Sequence, residues 1–473
     1  MRSQPVNLLG KAAPFQPLTS VKEDGRSAKE PATAERSPAS AEPAVPAEQE
    51  MSGELGELRR IQSKVALWDA EERRADGRQL RLADGPPVRR SDQIHVMGLN
   101  LAGRYIAHTL AGCQTIPPVR YILHSRSLYG RWRDANKQLT LIRGNDIIVR
   151  RRVVGEYISE ELEGTPGEAV IENLIVTVPA GQVLQALQTI RNRLDHRSTI
   201  CLINDCLGVA EALIEAYFPD ESRRPTFLLG HFTTALGHTD DLFSVSEVRP
   251  GRLYLSLFSP QGQQADGRFR IKRHPPLERT ERATSFLRLL TAMPGLKATG
   301  HPMADFLRLK LPTVAFRTVV DPLAALFDCR YDHLLQNTYA RQLMDRLVGE
   351  VSRVVSLLPE CRDSPKFRQL AIASSLRDEV RRKLMLQRTA DSRMRAQIGH
   401  GWDTDIDFLS GYFVRRGREL RAGVTALDSI MWAVKAKGVI RKARLEQLKA
   451  QSQAKASSSS AGGGNGQDQA QRQ

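Results

Sequence analysis

A short apolar segment, a glycine-containing turn and an apolar helical pattern stand in direct succession, and they constrain the fold more than any other feature. The segment from Ile94 to Gly98 reads IHVMG, which predicts a strand, and a helical pattern runs from the turn to about Leu110. The turn contains Gly98, Asn100 and Gly103. A strand, a tight turn and a helix in this order open a nucleotide-binding βαβ unit, so the sequence predicts a Rossmann-type domain.

The turn departs from the dinucleotide-binding fingerprint at its second glycine, the residue that lets the backbone approach a pyrophosphate. Asn100 stands at that position, and its side chain would occupy the space of a phosphate oxygen. Two interpretations stay open: a weakened dinucleotide site, or a Rossmann-type turn that binds no nucleotide. Arg126 follows the second predicted strand, Arg120 to His124, where a cation favours the 2′-phosphate of NADP. Any bound cofactor is therefore expected to be NADPH.

Alternating strand and helix patterns continue beyond this unit and then stop. Further strands are predicted over residues 173–178, 199–203, 226–229 and 253–258. From Ala304 onward strand patterns disappear, and helical patterns continue to Leu448. Such alternation predicts a mostly parallel sheet with both faces covered. The predicted fold is therefore α/β, with an N-terminal Rossmann-type NADP-binding-like domain over residues 93–300 and an all-helical C-terminal domain over residues 301–449.

Three segments outside these domains have distinct compositions. Residues 1–50 contain a long stretch that is rich in Pro, Ala, Ser and Glu and has few large apolar side chains. Burial of so few apolar groups cannot offset the entropy lost on ordering, so we predict a disordered linker. Apolar residues at near-helical spacing predict a helical extension over residues 51–92. Runs of Ser and Gly predict a disordered tail over residues 450–473.

The start of the chain is basic and poor in acids. The first acidic residue is Glu23, and Arg2, Lys11 and Lys22 stand before it. This pattern is typical of a mitochondrial transit peptide. Prolines in the same segment would break an amphipathic helix, so an ordinary disordered start and a cytoplasmic location remain the alternative. We predict a mitochondrial location.

The formal net charge of +16 suits a polyanionic partner or an anionic cofactor. No run of about 18 apolar residues occurs, which argues against a membrane-spanning helix. The basic stretches fit either solvated helix faces or a surface for nucleic acid, and both interpretations stay open. These stretches are Arg150 to Arg152, Arg223 and Arg224, Arg381 to Lys383, Arg415 to Arg418, and Lys435 to Lys449.

The sequence gives no support for a metal site. Its five cysteines form no CxxC pair, so neither a zinc site nor a disulfide framework is indicated. The histidines stand singly, without a partner at metal-ligand spacing. Asp403, Asp405 and Asp407 alternate, which would suit a metal ion, but we interpret them as the start of a helix.

Six stretches in the same order resemble the ketopantoate reductase family, and particularly its fungal branch. The resemblance implies a Rossmann-type domain followed by a helical substrate domain, and an activity that reduces 2-dehydropantoate to pantoate with NADPH. The last two stretches are similar to the family's INPLTAL and TEIDYING motifs. The six stretches are IHVMGLNLAG (94–103), ILHSR (122–126), LIVTVPAGQV (174–183), LINDCLG (202–208), VVDPLAALFDC (319–329) and TDIDFLSGYFVRRGRE (404–419).

The resemblance assigns the family's catalytic and substrate-binding positions to different residue types. Thr313 stands at the position of the catalytic lysine, counted back from Pro322, and Lys310 lies about one helical turn earlier. The two substrate-binding asparagines correspond to Arg317 and Asp321. Threonine cannot act as a cationic acid, and an aspartate would repel a keto acid carboxylate.

Several further positions are also changed. Pro179 replaces the nucleotide-contacting lysine, although Gln182 is kept, and Asp205 replaces the asparagine of the NGMG loop. Asp405 corresponds to the substrate-binding glutamate, and Arg393 to a substrate-contacting serine, with Ser392 beside it. The candidate catalytic residues are therefore Lys310 and Asp405, and the candidate cofactor-binding residues are Gly98, Asn100, Gly103, Arg126 and Gln182.

Two functions follow from this pattern. Retained packing motifs with substituted chemical positions indicate a catalytically degenerate reductase that acts as a mitochondrial binding protein, with RNA or the mitochondrial ribosome as partner. The alternative is an active NADPH-dependent reductase of 2-dehydropantoate or a related 2-keto acid, with Lys310 as acid and Asp405 as anchor. A homodimer through an apolar helical stripe is a third expectation, although the stripe fits a core equally well. That stripe comprises Leu343, Leu347, Val351, Val354 and Val355.

Overall fold

The computed structural model describes residues 92–158, 169–259, 277–362 and 364–461. The predicted linker over residues 1–50 lies outside the described residues, as does the predicted helical extension except for its last residue. No helix within the described ranges is long and apolar enough to cross a membrane.

The first part of the described chain is an α/β domain, as predicted. Helices and strands are mixed up to residue 217, with four successive strands among the described residues from 139 to 176, and an antiparallel segment follows. In chain order the elements are β1 (Ile94–Met97), α1 (Leu101–Ala111), β2 (Val119–Leu123), α2 (Arg126–Asp134), β3 (Leu139–Arg143), β4 (Asp146–Arg150), β5 (Val153–Tyr157), β6 (Asn173–Val176), α3 (Val183–Gln188), β7 (Thr199–Ile203), α4 (Val209–Tyr217), β8 (Thr226–Phe232), β9 (Ala235–Gly237), β10 (Ser244–Arg249), β11 (Leu253–Phe258), α5 (Leu277–Thr291) and β12 (Ala298–Gly300).

An eight-stranded sheet in the order β12-β11-β8-β7-β6-β1-β2-β5 forms the centre of this domain. The strands from β8 to β5 in this order pair in parallel, and β11 pairs antiparallel with β8. The buried strands are continuous apolar runs, as expected for a sheet covered on both faces. Because the chain order reverses beside β1, the carboxyl ends of β1, β2 and β6 meet where such sheets bind ligands.

A second sheet in the order β4-β3-β10-β9 packs over α1, and the sequence did not predict it. Arg104 of α1 connects the two layers, because its guanidinium donates to the carbonyl oxygens of Leu242 and Ser244 at 2.9 and 2.6 Å. The strands of this sheet contain exposed charged and apolar residues without strong alternation, which hides them from periodicity arguments.

The second part of the described chain is helical, and no strand follows β12 among the described residues. The predicted apolar stripe on α8 contributes Leu347, Val351, Val354 and Val355 to the helical core, so it is core rather than a subunit contact. The helices are α6 (Met303–Phe327), α7 (Tyr331–Gln336), α8 (Thr338–Leu357), α9 (Pro359–Arg362), α10 (Pro365–Ala371), α11 (Ala373–Leu386), α12 (Arg393–His400), α13 (Ser410–Glu419) and α14 (Thr425–Ala461), with a 3-10 turn over Asp405–Phe408.

Two of these helices extend further than sequence patterns suggested. α6 continues through Pro312 and Pro322 as a single helix of 25 residues, so Lys310 and Arg317 share one rigid element. α14 continues to Ala461, past the boundary predicted at residue 449. Ala, Gln and Lys in that segment favour a helix, so the predicted disordered tail does not begin at residue 450.

Candidate functional site

The candidate site lies at the carboxyl ends of β1, β6 and β7, where the α/β domain meets α6 and the 3-10 turn of the helical domain. The turn after β6 packs against the 3-10 turn closely: a Cβ added to Gly181 would lie 2.6 Å from the carbonyl oxygen of Thr404. The peptide N–H of Gly181 also donates to Oδ1 of Asp405 at 3.0 Å. The two domains are therefore joined directly across the cleft that a substrate would enter.

The fold itself requires the first and third residues of the fingerprint to be glycine. Gly98 has φ of +118°, and a Cβ there would lie 2.5 Å from Oγ1 of Thr177. A Cβ on Gly103 would lie 1.9 Å from the carbonyl oxygen of Gly98. Both contacts are between protein atoms, so these two glycines are needed for packing whether or not a nucleotide binds.

Asn100 stands at the position where a small residue is needed only for a ligand to approach the backbone, and not for the packing of the fold. Its side-chain oxygen accepts a hydrogen bond from the N–H of Gly103 at 2.8 Å, which makes it the N-cap of α1. Its side-chain nitrogen donates to the carbonyl oxygen of Thr177. The helix N-terminus that would bind a pyrophosphate is thus capped by the protein's own side chain, and the residues present do not fit the dinucleotide well.

The other two predicted cofactor residues lie at the same edge of the sheet. Arg126 is the first residue of α2, directly after the N-cap residue Ser125, and its side chain is exposed. Gln182 ends a 3-10 turn after β6, and its N–H donates to the carbonyl oxygen of Pro179 at 2.9 Å. Topology therefore brings the five predicted residues together along β6, β1 and β2, but no lysine stands at residue 179.

The substrate side of the cleft contains a buried ion-pair cluster centred on Arg317, which is 7% exposed. Its Nε lies 3.0 Å from Asp321 Oδ2, its Nη2 3.4 Å from Asp405 Oδ2, and its Nη1 3.6 Å from Asp205 Oδ2. Asp321 and Asp405 are each 1% exposed, while Asp205 is partly exposed. One guanidinium thus binds three carboxylates from three separate segments, and we call these four residues the Arg317 cluster.

Further hydrogen bonds satisfy the remaining oxygens of the two buried carboxylates. The Tyr331 hydroxyl donates to Asp321 Oδ1 at 2.5 Å, and the Ser392 hydroxyl lies 3.3 Å from the same oxygen. Asp405 Oδ1 accepts from the N–H of Gly181. The acceptors that a substrate would need are therefore already used inside the protein.

The pKa shifts of Arg317 and Asp205 both favour the charged forms of these two residues. Burial acts to lower the pKa of Arg317, but Asp321 and the neighbouring acidic groups outweigh it and raise that pKa well above its usual value. Burial acts to raise the pKa of Asp205, but Arg317 and His231 outweigh it and lower that pKa. Burial, reinforced by Asp321, raises the pKa of Tyr331, which keeps this hydroxyl a donor.

Lys310, the predicted catalytic acid, is buried on α6 and does not pair with Asp405, the predicted anchor. Its Nζ lies 3.5 Å from the carbonyl oxygen of Gly230 and 5.5 Å from the centre of the Phe306 ring. Burial lowers the pKa of Lys310 to about 8, and nearby Asp205 opposes that shift only in part. The structure brings Lys310 toward Asp205 and leaves Asp405 with Arg317.

Two residues of the site were missed by the sequence. Tyr331, at the start of α7, donates its hydroxyl hydrogen to Asp321. His231, near the end of β8, places its Nδ1 3.8 Å from Asp205 Oδ1. Neither residue stands in a motif, so only the tertiary fold could reveal them. No group of three or more metal-ligating side chains occurs among the described residues.

Comparisons with known proteins agree with this architecture. Residues 94–260 match the family model for ketopantoate reductase PanE/ApbA, and residues 305–438 match the model for its C-terminal domain. Among solved structures, 2-dehydropantoate 2-reductase from Geobacter metallireducens superimposes with a TM-score of 0.53 at 13% identity, covering 73% of this chain and 99% of that one. A dimeric ketopantoate reductase from Staphylococcus aureus gives a TM-score of 0.50 at 14% identity, covering 74% and 99%.

Two fungal proteins are similar over much of the sequence. A probable 2-dehydropantoate 2-reductase of Schizosaccharomyces pombe is 21% identical over 363 residues, which cover 75% of this chain and 99% of that protein. The cytochrome B translational activator CBS2 of Saccharomyces cerevisiae is 22% identical over 300 residues, which cover 58% of this chain and 76% of that protein.

Proposed function

This chain belongs to the ketopantoate reductase family, and on that premise we propose that it is a catalytically degenerate member that acts as a mitochondrial binding protein, with RNA or the translation machinery as its partner. The observation that carries the proposal is the Arg317 cluster. In the family, the residues that correspond to Arg317 and Asp321 are neutral asparagines that contact the substrate. Here Arg317 and Asp321 form a buried ion pair with each other.

The chemistry of ketone reduction finds little support in the site. A reductase needs a proton donor at the developing alkoxide and donors that hold the cofactor phosphates. Thr313 stands at the position of the lysine, Pro179 replaces a phosphate-side cation, and Asn100 caps the helix N-terminus. The loss of one general acid typically reduces the rate by ~10² to 10⁴, and the loss of phosphate-binding groups weakens cofactor binding as a separate effect.

Three features support a role in mitochondrial translation. The formal charge of +16 favours a polyanionic partner. The start of the chain has the acid-poor, basic pattern of a transit peptide. The similar protein from S. cerevisiae is named a translational activator of cytochrome B. The homodimer remains a separate prediction, which sedimentation of the purified protein tests.

A paired binding experiment tests the proposal. NADPH fluorescence is titrated with the full chain, and retention of labelled RNA is measured at increasing salt. We expect no micromolar NADPH binding and an RNA affinity that falls steeply as salt rises. Turnover of NADPH with 2-dehydropantoate would overturn the degenerate assignment, and RNA retention that is absent or insensitive to salt would overturn the RNA part.

The second candidate is an active NADPH-dependent 2-keto acid reductase, and the state of Lys310 favours it. A buried lysine whose pKa is lowered to about 8 is a suitable general acid near neutral pH. If this candidate is correct, the wild-type protein oxidises NADPH with 2-dehydropantoate, and Lys310→Gln loses turnover while NADPH still binds. Equal inactivity of both proteins would exclude it.

A further inference from the structure

The long C-terminal helix α14 carries a basic, aromatic surface outside the interdomain site. Residues 435–453 contain one acid, Glu446, among many cations, and from Val439 onward every residue through Gln453 is exposed except Leu445. The cations of this stretch are Lys435, Lys437, Arg441, Lys442, Arg444 and Lys449.

The cations divide into two groups by their contacts. Lys435 pairs with Asp407 at 2.6 Å, and Lys437 donates to the carbonyl oxygen of Ala325 at 2.6 Å, so these side chains fix the helix to the body. Lys442, Arg444 and Lys449 are exposed and have no ion-pair or hydrogen-bond partner within the described part of the chain. Unneutralised cations on one helix are the electrostatic footprint of a polyanion site.

Two exposed tryptophans flank these cations. Trp432 is 58% exposed on α14, and Lys435 lies 5.3 Å from its ring centre. Trp402 is also 58% exposed, and its ring stacks on His400 with the centroids 4.7 Å apart. The preceding residue, Gly401, packs against α14 at Lys442 and Leu445, which places Trp402 beside the helix.

Exposed apolar side chains that cluster in one patch mark interaction sites, whereas singly scattered ones need no explanation. Trp432, Lys435, Val439 and Lys442 recur at spacings of three or four residues, so they share one face of α14. On that face aromatic and cationic side chains are interleaved. A lipid surface would favour a continuous apolar stripe, whereas unpaired nucleotides offer a phosphate for each cation and a base face for each ring.

We propose that Trp402, Trp432, Lys442 and Lys449 form a binding surface for single-stranded RNA. This inference rests on the proposed function and names its partner and its interface. The cations contact phosphates, and the two indole rings stack on unpaired bases. Recognition is largely independent of sequence, because stacking and phosphate contacts are common to every nucleotide.

The test uses the full chain and a fluorescent oligouridine of about 16 nucleotides, with affinity measured by anisotropy at several salt concentrations. Replacing Lys442 and Lys449 with glutamine should reduce the slope of log affinity against log salt by about 1.4, since each phosphate contact on a single strand contributes about 0.7. Trp402→Ala and Trp432→Ala should each weaken binding about tenfold and leave the slope unchanged. An RNA duplex should compete poorly.

The matched control removes the same number of charges from cations that already have acidic partners. Arg381 and Arg382 pair with Asp345 and Glu379, and replacing these two arginines with glutamine should leave the slope as in wild type. Circular dichroism of each variant reports whether α14 and the rest of the fold are kept.

The outcomes separate this inference from the proposed function. If wild type binds oligouridine and the α14 variants bind equally well, the interface lies elsewhere: this inference is overturned and the proposed function stands. If wild type does not bind RNA, both the interface and the RNA part of the proposed function are overturned. Binding of vesicles of phosphatidylcholine and cardiolipin in place of RNA, lost in the same variants, would identify a lipid surface and overturn the inference.

Discussion

Arg317 and Asp321 form a buried ion pair one helical turn apart on α6, with Nε and Oδ2 separated by 3.0 Å. Either charge alone would be costly at this depth, because a buried ion without its partner loses hydration that nothing replaces. The two residues therefore depend on each other, and the resemblance to the family implies that both stand at substrate-binding positions. A single reversion cannot rebuild the family's site.

The first prediction concerns the cation of this cluster. Arg317→Met should lower the free energy of unfolding by about 3 to 5 kcal/mol, because it leaves Asp321 and Asp405 buried with hydrogen bonds but without a cation. Urea denaturation followed by circular dichroism measures the change.

A double variant provides the control for this prediction. Arg317→Met combined with Asp321→Asn removes a cation and an anion together, and it should recover a large part of the lost stability. If the single variant is as stable as wild type, the cluster is not a stabilising unit, and the argument from a self-satisfied site fails.

The second prediction concerns the capped turn. Asn100→Gly should strengthen NADPH binding about tenfold, because it frees the N–H of Gly103 for a phosphate oxygen, a charged hydrogen bond of about 1.5 to 3 kcal/mol. The cost in stability should be small, since glycine is a tolerated N-cap. Fluorescence titration with NADPH measures the gain.

Asn100→Asp is the matched control for the turn. Aspartate keeps the capping oxygen and adds a negative charge, so NADPH binding should be no better than in wild type. Equal NADPH binding by wild type and Asn100→Gly would mean that the nucleotide path is closed elsewhere, for example at Pro179.

The sequence predicted those parts of the fold in which one apolar run forms one element. The predicted bounds of β7 and β11 agree with the structure, because buried strands contain few polar residues. The turn with Gly98 and Gly103 was predicted from its place between a strand and a helix, whereas the contacts of both positions with Thr177, which require glycine, are seen only in the structure. The sheet containing β3, β4, β9 and β10 was missed, because its strands depend on packing over α1 rather than on their own periodicity.

The sequence identified the substituted positions of the candidate site but not their relationship. Arg317 and Asp321 could each be recognised as unsuited to a keto acid. The contacts of Arg317 with Asp205 and Asp405 join segments that are far apart in the chain, so no local spacing predicts them. Lys310 and Asp405 were expected to act together, and in the structure each has a different neighbour.

The third prediction concerns pH. Burial lowers the pKa of His108 and of His231 from 6.5 to about 4, so between these values the unfolded chain binds protons that the folded chain does not. The stability that these residues contribute is present above pH 6.5 and is lost as the pH falls toward 4, by up to about 3 kcal/mol for each. Urea midpoints at pH 7.5, 6 and 5 should decrease in that order.

Histidine variants test the cause of this pH dependence. The double variant His108→Gln with His231→Gln should show a flatter decrease between pH 7.5 and pH 5. His333→Gln, on an exposed side chain, should behave as wild type. An unchanged slope in the double variant would assign the acid sensitivity to other groups.

The last prediction concerns Lys310. Its pKa is lowered from 10.5 to about 8, so below pH 8 the folded protein holds a buried ammonium that the unfolded chain carries in water. Lys310→Met should therefore raise the free energy of unfolding at pH 7 by about 1 to 3 kcal/mol. Between pH 8 and pH 10.5 the folded state of wild type releases this proton first, so wild type gains stability and the advantage of the variant should shrink.

Lys437→Met should have the opposite sign, because Lys437 Nζ donates to the last carbonyl oxygens of α6 and its loss leaves them without that donor. Comparing the two variants by urea denaturation at pH 7 and pH 9.5 thus distinguishes a lysine whose burial is destabilising from one whose hydrogen bonds are stabilising. If Lys310→Met is less stable than wild type at pH 7, the ammonium is well solvated by its neighbours. If it is more stable and binds RNA as before, Lys310 has no part in the proposed function.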